Sequence, residues 1–187
     1  MHLLFLAPGF EEIEALCPLD LMRRAGLNVS TVAIGAGTEV TGAHKITVKA
    51  DKSEADLRRI LNIAKPESII LPGGMPGTKN LGDSALIKEL LSDIKSGKLP
   101  DVLLAAICAA PSVPGKMGLY KGRKATCFPG FEKDLKGAEV VKDKVVVDGH
   151  FITAAGMGVA LDFGLAIVEK LCGTRVMQEL KQGIQSR

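Results

Sequence analysis

The segment LLAAICAAPSVPG, residues 103–115, carries an apolar run into a single cysteine, Cys108, and follows it with two alanines and a proline. A cysteine at the point where a buried strand gives way to a helix has the geometry of a nucleophile elbow. The sharp turn lifts the side chain clear of the sheet, and its neighbours must be small for the backbone to fold so tightly. Ala106, Ala109 and Ala110 meet that need. A thiol at a helix amino end also gains stability as thiolate, since the helix dipole can lower its pKa from ~8.5 by several units. The alternative is a small buried hydrophobe, and the elbow pattern alone leaves both readings open.

Two further stretches carry chemistry. PGGMPG, residues 72–77, sets consecutive glycines after an apolar run. Exposed backbone N–H groups there, at Gly73 and Gly74, could hold a developing oxyanion; the other reading is a tight turn. It matches neither phosphate-binding fingerprint, lacking G-x-G-x-x-G and G-K-[ST]. In EEIE, residues 11–14, Glu11 and Glu12 fit the solvated first turn of a helix, whereas Glu14 lies between Ile13 and Ala15–Leu16 and could face inward. A buried carboxylate is costly, so an inward Glu14 would keep its proton and could donate a hydrogen bond to a thiolate at Cys108, whereas an ionised one would oppose it. The other reading is a third surface glutamate.

The elements that must position these groups follow from patterning. HLLFLA (2–7) reads as a buried strand ended by Pro8-Gly9, and EEIEALCPLDLMRRAG as a helix with acids first, Arg23 and Arg24 last, and Pro18 as an expected kink. NVSTVAIG (28–35) is a strand, TEVTGAHKITVKAD a hairpin turning near Thr41-Gly42, and SEADLRRILN a capped helix. SIIL (68–71) is a buried strand running into the loop PGGMPGTKNL, and SALIKELLSDIKSG is a helix ended by Gly97. DVLLAAI (101–107) leads to Cys108, with a helix expected to begin at AAPSVPGKMG. KATC, AEVV, KVVVD and HFITA are short strands, the last two joined by a turn at Asp148-Gly149; MGVALDFGLAIVEKLCG and RVMQELKQGIQ are closing helices. Apolar strands alternating with helices predict an α/β fold with a mostly parallel sheet covered on both faces, which binds ligands at the strands' carboxyl ends.

Bulk properties narrow the function. The 187 residues fit one domain over 1–187, and 47% hydrophobic content suits a globular core. Net charge is only +3, the densest basic run is KGRK (121–124), and the seven aromatics (six Phe, one Tyr) offer no base-stacking platform, so no nucleic-acid partner is expected. The amino terminus lacks a basic leader, and the uncharged stretch from Val102 to Gly115 is too short to cross a bilayer, so a cytoplasmic protein with no membrane contact is expected. Cys17, Cys108, Cys127 and Cys172 are widely spaced and read as thiols; His2, His44 and His150 are equally scattered, so no metal site is expected.

APGFEEIEALCPLDLMRRAG, ILPGGMPGTKNL, LLAAICAAP and GVALDFGLAIVEKLCG, in that order, resemble the segments of the DJ-1/PfpI (ThiJ/PfpI) superfamily over nearly the whole chain. The resemblance implies a flavodoxin-like three-layer α/β sandwich of the class I glutamine amidotransferase kind, and a homodimer. It also implies Cys108 as nucleophile, Glu14 as its protonated partner, and the N–H groups of Gly74 and Ala109 as the oxyanion site. It implies a cofactor-independent glyoxalase or protein deglycase acting on 2-oxoaldehydes such as methylglyoxal and glyoxal, or on their early protein adducts. The alternative is a redox-sensing, stress-protective protein or redox-regulated chaperone working through oxidation of Cys108. The chain departs from its relatives in three places. Ala109 replaces the histidine of protease-like members, which removes a Cys-His dyad and argues against a peptidase. Phe128 stands where human-like members carry a pocket histidine. His44 takes the place of a basic hairpin residue that, with a companion such as Arg24, forms an anion site near the dimer seam. Cys127 adjoins Phe128 as a candidate resolving thiol, while Cys17 and Cys172 read as packing residues.

Overall fold

A computed structural model describes residues 1–186. The chain runs β1 (His2–Leu6), α1 (Glu12–Arg24), β2 (Val29–Ala33), β3 (Glu39–Thr41), β4 (Thr47–Lys49), β5 (Lys52–Ser53), α2 (Glu54–Leu61) and β6 (Ser68–Leu71). It continues through α3 (Gly77–Asp83), α4 (Ala85–Lys95), β7 (Leu103–Ile107), α5 (Ser112–Lys116), β8 (Lys124–Ala125), β9 (Glu139–Val140), β10 (Val145–Asp148), β11 (Phe151–Ala154), α6 (Ala160–Cys172) and α7 (Thr174–Gly183). Seven strands form the main sheet in the order β10-β11-β7-β6-β1-β2-β5. Every pairing is parallel except β10 with β11.

Strand periodicity divides the core in two. Leu4 and Leu6 of β1 and Leu103, Ala105 and Ile107 of β7 face one way, against Ala15, Leu19 and Met22 of α1 and Phe163, Ile167 and Val168 of α6. Leu3, Phe5, Leu104 and Ala106 face the other, against Leu57 of α2 and Leu86, Ile87, Leu90 and Leu91 of α4. Because both faces are covered, the central strands are apolar throughout rather than alternating. The result is the three-layer, flavodoxin-like α/β sandwich.

Two topological facts position the site. From β1 the chain moves one way to β2 and later the other way through β6 to β7, so the strand order reverses between β1 and β6. A crevice opens at such a switch point, at the strands' carboxyl ends. The segments after β1, β6 and β7, three adjacent strands, all emerge there.

Local expectations held with adjustments. α2 carries a full capping box, Ser53 accepting from Asp56 N–H while the Asp56 carboxylate accepts from Ser53 N–H. Helix α1 runs unbroken through Pro18 from Glu12 to Arg24. The hairpin of β3 and β4 forms as a separate two-stranded sheet. The loop after β6 is shorter than expected, since α3 already begins at Gly77. The β10–β11 register pairs Asp148 with Phe151, so the turn residues are Gly149 and His150, one position later than expected. Strand β5, two residues on the sheet edge, is too short to leave a pattern. The helix after Cys108 starts only at Ser112 and spans five residues.

α1 and α6 pack closely through one position. A Cβ on Gly164 would lie 2.6 Å from Leu21 Cδ1 and 3.0 Å from Pro18 Cα. Leu21 can rotate away, but the Pro18 backbone cannot. Gly164→Val is therefore expected to destabilise the fold by about 1–3 kcal/mol through overpacking. Urea denaturation checks this; an unchanged midpoint would show that α6 shifts without penalty.

Candidate functional site

Cys108 sits directly beyond β7 at φ +63°, an unfavourable region for a side chain other than glycine. Its backbone is held on both sides: its N–H donates to Ala154 O at 2.8 Å, and its carbonyl accepts from Phe128 N–H at 2.8 Å. These two bonds fix the elbow turn, and the thiol is half-buried. Backbone strain of this kind clusters at functional sites, and here it falls on the candidate nucleophile.

Glu14 reaches the same space from α1. On that helix the buried face includes Glu14, Ala15, Pro18, Leu19, Leu21 and Met22, so helical spacing turns Glu14 inward, and it is 1% exposed. The helix start is fixed by Glu11, whose Oε2 accepts Glu14 N–H at 2.7 Å and whose own N–H donates to Gly73 O at 2.9 Å. Gly73 N–H donates to Glu14 Oε2 at 2.9 Å. The other oxygen, Oε1, is buried with no hydrogen-bond partner among the described residues.

Gly73 is the hinge of this arrangement. A Cβ there would lie 2.5 Å from Glu14 Oε2 and 2.7 Å from Cys108 Cβ. Any side chain would therefore separate the acid from the thiol. The N–H groups of Ala109 and Gly74 act on the sulfur, and neither donates to a backbone acceptor elsewhere among the described residues.

Burial governs the electrostatics. Desolvation raises the Glu14 carboxyl from 4.5 to about 7, with Glu11's charge adding to it and the contacts to Cys108 and Gly73 opposing it. Desolvation and the neighbouring Glu14 push the Cys108 thiol up to about 12, against the pull of the Ala109 and Gly74 N–H groups. The helix amino end expected directly at the sulfur is displaced, because the short α5 begins four residues after it. Glu14 and Cys108 are coupled acids, each held toward its protonated form by burial.

The structure departs from expectation at Glu12. It is buried, not solvated: His44 donates to it from its backbone N–H and engages it through Nδ1, both at 2.7 Å. Ile13, between the two buried glutamates, is 49% exposed. A pair 32 residues apart in sequence leaves no local signal. Glu11, Glu12 and His44 each bring one ligand atom within 4.8 Å of the others. The hydrogen bond to Glu12 raises the His44 pKa, and the spacing of the three ligand atoms is one that could hold a metal ion, which the scattered histidines of the sequence did not lead one to expect. Arg24 does not join His44 within the chain. It pairs with Asp20 at 2.6 Å at the far end of α1, roughly 18 Å along the helix from Glu12 at 1.5 Å rise per residue.

Phe128 is half-exposed beside Gly156, its backbone bonded to the Cys108 carbonyl, and so stands at the site's edge. Cys127 turns the other way, into a small core with Tyr120, Ala125 and Leu135, and burial pushes its thiol up to about 11. That orientation separates it from the elbow. All four cysteines are free, Cys17 and Cys172 packing against the α1–α6 core. His150 is exposed.

Known proteins of similar sequence share this fold. The DJ-1/PfpI family profile matches residues 2–170. The chain belongs to the DJ-1/PfpI family. It is 37% identical over 184 residues to the fruit-fly (Drosophila melanogaster) protein dj-1beta, covering 97% of this chain and 95% of that one. The crystal structure of that relative superposes with a TM-score of 0.89, covering 100% of this chain and 97% of that one, at 36% identity. Oxidised DJ-1 from Toxoplasma gondii gives a TM-score of 0.88 at 30% identity, covering 98% and 97% of the two chains. A protein named as a deglycase, from Pyrococcus horikoshii, is 31% identical over 160 residues, covering 82% of this chain and 89% of that one.

A raised carboxyl makes stability depend on pH. Glu14's folded pKa, about 7, lies above its free value of 4.5. The folded state thus prefers the proton: the stability Glu14 contributes is complete below about pH 4.5 and is lost as pH rises through about 7. Glu14→Gln cannot ionise and is expected to melt above wild type at pH 8, with the gap narrowing by pH 5. Calorimetry at both pH values checks this; a gap independent of pH would mean the fold does not oppose ionisation here.

Proposed function

We propose that this protein is a cofactor-independent glyoxalase and protein deglycase, converting 2-oxoaldehydes or their early protein adducts to hydroxy acids. The observation that carries the reading is the elbow thiol of Cys108 against a buried carboxyl, Glu14, whose Oε1 lacks any other partner. The relative named as a deglycase supports the same class.

Glu14 takes the Cys108 proton, and the sulfur adds to the aldehyde carbon of methylglyoxal. The carbonyl electron pair moves to oxygen, where the Gly74 and Ala109 N–H groups receive it. Glu14 returns the proton to that oxygen, giving a hemithioacetal. As carboxylate it then removes the former aldehyde hydrogen as a proton, the C–H electron pair forming a C=C bond while the ketone oxygen gains a proton to give an enediol. Glu14 returns the proton to the former ketone carbon as the hydroxyl next to sulfur loses its own and becomes the thioester carbonyl. One carbon is oxidised as its neighbour is reduced, so no external oxidant enters. The product is a hydroxyacyl thioester on Cys108. Water cleaves it, releasing lactate and restoring the thiol. Phe128 at the rim keeps the entrance apolar and offers no second base.

We further propose a cytoplasmic homodimer. Ile13 on α1, Ile46 beside the hairpin and Leu161 on α6 are exposed apolar side chains on neighbouring elements, and a second copy would cover them. No helix among the described residues is long and apolar enough to cross a membrane.

The reading that Cys108 is a redox sensor, or the switch of a redox-regulated chaperone, rests on its half-buried thiol beside an acid that could bond a sulfinate. The Toxoplasma relative, solved in an oxidised form, supports it. Intact mass after mild peroxide separates the two readings: two oxygens gained on Cys108, with negligible turnover by the reduced protein, would favour the sensor.

Lactate formation from methylglyoxal is the direct test. Cys108→Ser is expected to abolish it and Glu14→Gln to lower it ~10²–10⁴-fold, the usual worth of a placed proton transfer. Wild-type turnover is expected to rise with pH through about 7, as the pair acquires its single charge. Full activity in either variant ends the proposal.

A further inference from the structure

Away from the Cys108–Glu14 pair, a cavity of about 650 Å³ lies between α3, α4 and α5. That volume is in the range of small-molecule sites. Its wall carries three ammonium groups, Lys79, Lys88 and Lys116, against one carboxylate, Asp83. Lys88 Nζ reaches only the Asp83 carbonyl, at 3.3 Å, and Lys116 lies 3.4 Å from Asp134. Lys79 has no ion-pair partner among the described residues. Val113 and Met117 supply an apolar body to the same cavity.

Thr78, on this wall, is 4% exposed, and its Oγ1 has no hydrogen-bond partner among the described residues. A buried hydroxyl without a partner is costly, and a hydroxyl is a donor in need of an acceptor. Ser112, 2% exposed, lines the cavity too. Both residues connect to the candidate oxyanion donors. Thr78 N–H donates to Gly74 O at 2.8 Å, and Ser112 N–H to Ala109 O at 3.1 Å. The cavity thus lies one hydrogen bond from the residues, Gly74 and Ala109, whose own N–H groups face the sulfur.

We propose that this cavity binds a small amphipathic anion, a carboxylate or sulfonate head on an apolar body, and that its occupancy is felt at Cys108. The head sits among the lysines with an oxygen toward Thr78, and the body lies along Val113 and Met117. This second site is separate from the proposed chemistry at Cys108 and would stand whether or not the protein is a glyoxalase.

Gly82 provides a clean block. A Cβ there meets only Val113, at 3.6 and 3.9 Å, which is ordinary contact, so a side chain can be started from this cavity wall without a backbone clash at its first atom. The probes are 8-anilinonaphthalene-1-sulfonate, read by fluorescence, and octanoate as its competitor. Wild type is expected to bind the dye saturably, one per chain, with displacement by octanoate. Gly82→Phe is expected to abolish binding and Lys79→Glu to weaken it about tenfold, the scale of one lost charge contact. Gly82→Ala, which leaves the space open, and Cys108→Ser should both still bind. Saturating octanoate is expected to change the iodoacetamide alkylation rate of Cys108 in wild type but not in Gly82→Phe. Absence of saturable binding, binding that survives Gly82→Phe, or binding lost in Cys108→Ser would overturn the site. An alkylation rate unmoved by saturating octanoate would overturn its link to Cys108.

Discussion

A carboxyl and a thiol share one confined space at the end of β7, and neither ionises freely there. Burial raises both; Glu14 further opposes the thiolate, while the hydrogen bond from the thiol eases ionisation of the carboxyl. The compensating groups are backbone amides: Gly73 toward the carboxyl, Gly74 and Ala109 toward the sulfur. With one charge for two acids, the position of a single proton becomes the chemical variable. That differs from a cysteine simply activated by a helix dipole, since the charge is created only when an acceptor for the proton lies alongside.

Most nearby features serve to keep that pair together. Gly73 is bare because a Cβ would wedge the acid from the thiol. Cys108 accepts a left-handed backbone because two hydrogen bonds hold it there. Glu14 depends on the placement of α1, which rests on α6 through the contact of Gly164 with Pro18. A packing position far from the sulfur thereby sets the reach of the acid. Proline is tolerated inside α1 and lies buried against that glycine.

The same topology gives the site its neighbours. The strand order reverses between β1 and β6, and three adjacent strand ends deliver the acid, the glycine loop and the thiol to one crevice. On the opposite layer, α3 and α5 descend from the glycine loop and the elbow, so the lysine-rimmed cavity is built from the continuation of the same segments. A fold that assembles a site from loops places whatever follows those loops within one hydrogen bond of the chemistry.

Much of this was written locally in the chain. Apolar strands two faces deep, the Ser53–Asp56 cap, the small residues around Cys108 and the inward helical spacing of Glu14 are properties of short segments, because they reflect backbone geometry and burial periodicity. What needed the tertiary structure was every relation between distant segments. Glu12 is buried only because the hairpin brings His44 to it, and Arg24 is committed to Asp20 at the other end of its helix. Cys127 faces Tyr120 rather than its neighbour's pocket. The ionisation of Cys108 was likewise undecidable from sequence: a pKa depends on what solvent is excluded and which charges stand nearby, and both are set by the packing of chain segments remote in sequence.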